Sequence, residues 1–104
     1  MDIKDGFSTF QQAVTDTKRA IGDKPFVVGE TGWPTAGPNY GKAVASKDNL
    51  QKYYSETACW LQKQNFGWYW FSGFDEPKKA STVEQNFGVA WYGQTAKIKF
   101  TCPK

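Results

Sequence analysis

Histidine is absent from the 104 residues, which removes Ser-His-Asp, Cys-His and histidine–metal chemistry and leaves acid, base or nucleophile duty to carboxylates. Glu30 ends the apolar run Phe26-Val27-Val28, between Gly29 and Thr31-Gly32-Trp33-Pro34. Asp75 and Glu76 follow a second run, Gly67-Trp68-Tyr69-Trp70-Phe71, with Lys79 and Glu84 close behind. If the two runs are neighbouring strands about 4.8 Å apart, carboxylates at matching heights approach to about 5 Å. A retaining glycosidase needs carboxyls roughly 5 to 5.5 Å apart, one to attack the anomeric carbon and one to protonate the leaving oxygen. On spacing alone Glu30 and Glu76 could be such a pair. Each could equally pair with a lysine or cap a backbone amide.

Aromatic residues make up 17% of the chain, with five Trp, five Tyr and eight Phe. Flat rings stack on the C–H faces of sugars, and tyrosine hydroxyls orient sugar hydroxyls. Trp33, Trp68, Trp70, Trp91, Tyr40, Tyr69 and Phe74 are available for this. Core packing is the competing use for about half of them, because alternate residues of the run 68–74 point to opposite faces. Trp33, in the loop directly after Glu30, is the strongest candidate for a ring that faces a ligand.

Phe7, Phe10, Val14, Thr17 and Ile21 recur at spacings of three and four, which predicts an amphipathic helix over 8–21 with Ser8 as its cap and Gly22 as its stop. Phe26-Val27-Val28 then begins a strand apolar enough to be buried on both faces, as in a parallel sheet. Two prolines and three glycines make 31–46 a long loop of the kind that is usually functional. A second helix is expected over 48–64, with Leu50, Tyr54, Thr57, Ala58 and Leu61 on its apolar side. A second strand follows at 67–71, then a loop, and from Gly88 an extended tail in which Ile98 and Phe100 alternate with lysines. Alternating helices and strands argue an α/β unit with parallel strands, whose carboxyl ends carry the site. Both acidic positions lie on that rim. Two strands do not make a self-sufficient parallel sheet.

The length fits one small domain. The net charge of +3 is spread along the chain without a run of five basic residues, so neither nucleic acid nor membrane is expected as a partner. The first residues lack the pattern of a signal peptide, and no stretch approaches a membrane-spanning length. Cys59 and Cys102 have no zinc-type spacing, so no metal is expected. As a disulfide they would close a loop of 43 residues, worth about 4 kcal/mol in the chain-entropy model.

VVGETGWPTAG resembles the signature of glycoside hydrolase family 17, the (β/α)8-barrel β-1,3-glucanases and glucanosyltransferases, in which the glutamate before T-G-W-P is the nucleophile. WFSGFDEPKK followed by VEQNFGV is similar to the segment after the last barrel strand of the fungal cell-wall members: an aromatic strand, an acid, a lysine, a second glutamate and a W/F-G pair. The resemblance covers nearly the whole chain. It implies an α/β fold that is the C-terminal part of a TIM barrel, comprising helix 6, strand 7, helix 7, strand 8 and a tail, a single partial domain over 1–104. It implies Glu30 as nucleophile in the retaining hydrolysis or transglycosylation of β-1,3-glucan. Trp33, Tyr40, Trp70 and Phe74 would shape the sugar subsites, with Glu76, Lys79 and Glu84 lining the cleft. No cofactor is implied, and the location implied is secreted or cell-wall.

The family's acid/base glutamate lies near the end of the fourth barrel strand, and too few residues precede Glu30 to hold it. The chain alone would be a poor catalyst. Its open strand edges would call for the rest of the barrel, self-association, or a rearrangement stapled through the cysteines. A non-catalytic glucan-binding or cell-wall structural module is the competing reading. A third has Glu76 stand in for the missing acid.

Overall fold

A computed structural model describes residues 2–64, 66–91, 95–100 and 102. Helix α1 spans Gly6–Ile21, two residues longer at its start than the spacing predicts. Ser8 does not cap it; the Ser8 hydroxyl donates back to the Asp5 carbonyl, and a short 3-10 turn at Ile3–Asp5 leads in. The stop is as expected: Gly22 takes φ +66°, which only glycine adopts freely, and its N–H bonds the Lys18 carbonyl. Strand β1 is Val27–Thr31, α2 is Lys47–Leu61, β2 is Gly67–Trp70, and a single-turn helix α3 is Thr82–Gln85. Ser46 caps α2 by accepting the Asn49 N–H, a contact worth about 1 kcal/mol.

The strands pair in parallel with α2 as the connection, and α1 lies beside α2. Val28 meets Val14 and Leu61 beneath the helices, while Leu50 and Tyr53 meet Trp33 and Ile98. Phe10 touches both groups and joins them into one core. Edge-to-face ring pairs fill this layer, Phe10 on Trp60 at 6.3 Å and Tyr54 on Trp70 at 5.1 Å. Much of the aromatic excess is therefore core. Tyr53, rather than Tyr54, takes the buried position on α2, and Thr17 stays exposed.

One expectation fails here. β1 is not buried on both faces: Val27 is 57% exposed, and Tyr69 on β2 is 67% exposed. The helices cover the sheet face that carries Val28 and Thr31, and the described residues leave the opposite face open.

Cys59 and Cys102 are bonded, tying the last turn of α2 to the tail across a separation of 43 residues. Replacing both by alanine is expected to remove up to about 4 kcal/mol, mainly by freeing the unfolded chain. Urea unfolding of the two proteins measures this, and coincident midpoints would show that the bond constrains nothing.

Tyr53 also carries a pH dependence. Its hydroxyl lies 2.8 Å from Thr31 Oγ1, and burial pushes the phenol above its ordinary 10.0 in spite of that hydrogen bond. The folded state thus keeps the proton after the unfolded state has begun to lose it. The stabilisation is complete below about pH 10 and is lost as pH climbs through the folded value. Thermal midpoints on an alkaline series should fall more steeply for this protein than for Tyr53→Phe. Parallel curves would overturn the assignment.

Candidate active site

Val28 sits opposite Trp68 and Thr31 opposite Trp70, so β1 takes three residue steps where β2 takes two. The extra residue makes a β-bulge at Gly29-Glu30. In a regular strand Glu30 would share the face of Val28 and be driven under the helices. The bulge turns it outward. Glu30 is exposed, while Thr31 returns to the helix face, buried, with its hydroxyl on Tyr53.

Glu30 opens onto a cleft of about 390 Å³. Gly32 and Phe71 form the strand side, and Lys79, Glu84 and Phe87 form the other wall, from the segment that follows β2. Gly32 keeps the strand ends close, because a Cβ there would run into the Phe71 carbonyl oxygen. Phe71 and Phe87 meet at 5.5 Å as an edge-to-face pair. Among the described residues Glu30 forms no ion pair. Lys79 lies 3.7 Å from Glu76, a half-exposed contact worth little, so its ammonium can turn to a ligand in the cleft. Glu84 stands in the first turn of α3, where Ser81 accepts its backbone N–H. The cleft combines an unpaired carboxylate, a cation and two aromatic walls, the equipment for holding a neutral polyhydroxylated ligand against a nucleophilic oxygen.

The structure brings Glu30, Lys79 and Glu84 together in one cleft and Trp33 and Tyr40 together at another, and leaves Glu76, Trp70 and Phe74 outside both. Glu76 lines an adjoining pocket with Asp75, Pro77, Lys78 and Lys79, and meets the Glu30 cleft through Lys79, which lines both. Trp33 is not a free ring: it is 6% exposed, its Nε1–H donates to the Val44 carbonyl at 2.9 Å, and it leans on Tyr53. Trp70 packs on Tyr53 and Tyr54, because its register opposite Thr31 turns it to the helix face. Tyr40 is 86% exposed and pairs with Ala43 to close a tight hairpin, beside a separate apolar cleft that it shares with the edge of Trp33, Pro34, Pro38 and Val83. Phe74 is exposed and bridges Ala90 in parallel, outside the Glu30 cleft.

Two features escaped the sequence reading. Phe87 lines the cleft, and its place in the F-G pair was the available signal. Lys97 is buried, its ammonium 2.7 Å from Asp75 Oδ1, although the alternation of the tail assigns the lysines to water.

The family described as BtgE/BtgC glycoside hydrolase domain matches residues 1–88. A glucan 1,3-beta-glucosidase of Schizosaccharomyces pombe is 39% identical over 79 residues, 74% of this chain and 25% of that protein. The crystal structure of a glycoside hydrolase family 17 beta-1,3-glucanosyltransferase from Rhizomucor miehei matches with a TM-score of 0.89 at 32% identity, over 98% of this chain and 39% of that one. An active-site mutant of the same enzyme, in complex with laminaritriose, matches equally well, at 31% identity. These neighbours are TIM-barrel enzymes. The chain spans between about a fifth and a third of the length of the curated relatives it matches.

Proposed function

Since the chain belongs to glycoside hydrolase family 17, we propose that it is the C-terminal part of a barrel that cleaves or transfers β-1,3-glucan with retention, Glu30 being the nucleophile. Glu30 attacks the anomeric carbon as the glycosidic C–O bond breaks, and the leaving oxygen takes a proton from an acid supplied by the remainder of the barrel. Water, or the hydroxyl of a second glucan, then opens the glycosyl ester and yields its proton to the same group. Lys79 and Glu84 hydrogen-bond sugar hydroxyls beside the attacking oxygen. Tyr40 and Phe74 serve as outer platforms for the glucan, and Glu76 steadies Lys79. Trp33 and Trp70 act through the core instead. Residues 1–104 are one partial domain in this reading, and the substrate places the enzyme outside the cell, at a fungal wall.

The observation that carries the reading is the bulge, which takes the carboxylate out of the helix layer and into a cleft shared with Lys79 and Glu84. Incubating the barrel-length enzyme with a 2-deoxy-2-fluoro laminaribiosyl fluoride should trap the glycosyl ester, and peptide mapping should find the added mass on Glu30. Labelling of another carboxylate would transfer the role to that residue.

A further inference from the structure

The ammonium of Lys97 is wholly buried, and no step of the proposed reaction uses it. It donates to Asp75 Oδ1 at 2.7 Å and to Thr35 Oγ1 at 2.8 Å, and it lies 4.5 Å from the centre of the Trp91 ring. The same Asp75 oxygen accepts the Gly88 N–H at 3.0 Å. A Cβ at Gly88 would press into the Asp75 and Phe74 backbone, so the bareness of this glycine is what lets its N–H reach the carboxylate. Asp75 and Gly88 are the two ends of the segment that carries Lys79, Glu84 and Phe87, the outer wall of the Glu30 cleft. Thr35 belongs to the other segment, the one that leaves β1 just after Glu30, and its N–H bonds the Asn86 carbonyl at 2.9 Å. The Asp75–Lys97 pair therefore ties both ends of the outer wall, through the carboxylate, to the segment that follows Glu30 and to the tail, through the ammonium.

A buried charge is costly unless fully paired, and a buried pair adds little net stability over an apolar one of the same shape. What such a pair can supply is one geometry. We propose that Asp75 and Lys97 are positioning residues: their pair sets the wall bearing Lys79 and Glu84 against Glu30, and so governs affinity for the glucan more than the rate of the chemical step. The inference rests on the reading of Glu30 given above.

The test compares Lys97→Met with the neutral double variant Asp75→Asn/Lys97→Met in the barrel-length enzyme, on laminari-oligosaccharides. The single variant strands a buried carboxylate and should lose thermal midpoint. The double variant strands no charge and should recover it. If the pair positions the wall, KM in the double variant stays raised by roughly tenfold while kcat moves less than about threefold, since a weakened hydrogen bond to a charged group is worth about tenfold in affinity. Recovery of KM together with the midpoint would overturn the inference and leave the pair a purely structural one. Should the double variant not fold, Thr35→Val removes the hydroxyl's bonds to Lys97 and to the Asn86 carbonyl without stranding a charge: a KM raised severalfold in the folded protein supports positioning, and an unchanged KM overturns it. Glu30→Gln in the same assay separates the two readings. If it retains turnover, the reading of Glu30 fails. Hydrogen exchange at the Glu76 and Gly88 amides then decides the inference, supported by lost protection in the double variant and overturned by kept protection.

Discussion

Glu30→Gln is expected to lower kcat on laminari-oligosaccharides by about 10⁴-fold or more, the scale on which loss of a covalent nucleophile acts. Glutamine keeps the shape of the side chain and its place on the bulge, but its amide cannot form the glycosyl ester. The substitution should leave the fold alone, because Glu30 is exposed and the described residues give it no ion pair to lose. Activity and stability are thus expected to separate, with turnover gone, the thermal midpoint within about 2 °C and binding of laminaritriose retained. Turnover within tenfold of the parent protein would remove Glu30 from the mechanism. Loss of binding together with turnover would recast the residue as a ligand contact.

Lys97→Met carries the largest expected effect on stability. It leaves the Asp75 carboxylate, 11% exposed and bonded to the Gly88 N–H, without its cation, and removing one partner of a buried pair costs up to about 3–5 kcal/mol. Set against about 5–15 kcal/mol for a whole domain, that brings the protein close to unfolding. Urea denaturation measures the loss, and a change below about 1 kcal/mol would show that water reaches and solvates the carboxylate. The half-exposed Lys79–Glu76 contact makes the useful contrast, since breaking it should cost well under 1 kcal/mol. The two lysines stand at opposite ends of the range that burial imposes on an ion pair.

The order of helices and strands was legible because it rests on local rules. The threes and fours of Phe7, Phe10 and Val14 mark α1, and Gly22 marks its end. The four-residue strand rich in tryptophan marks β2. The position of Glu30 at the end of β1 was equally legible, and so was the family motif around it. The destination of each ring was not. Trp33 and Trp70 are flat aromatic rings like the exposed Tyr40 and Tyr69, and the burial of Trp33 and partial burial of Trp70 follow from what α2 sets opposite them, Tyr53 and Tyr54.

By itself the sequence determined the elements, their order, the carboxylate at the rim and the two cysteines that can join, since each depends on neighbours within a few residues or on a motif read in line. Tertiary structure alone decided that Glu30 faces a cleft, that Glu76 lines the pocket adjoining it, and that Lys97 leaves water for Asp75. The physical reason is that a bulge is defined by the register between two strands, and a buried charge by a partner 22 residues away. Neither contact exists until the chain has closed on itself.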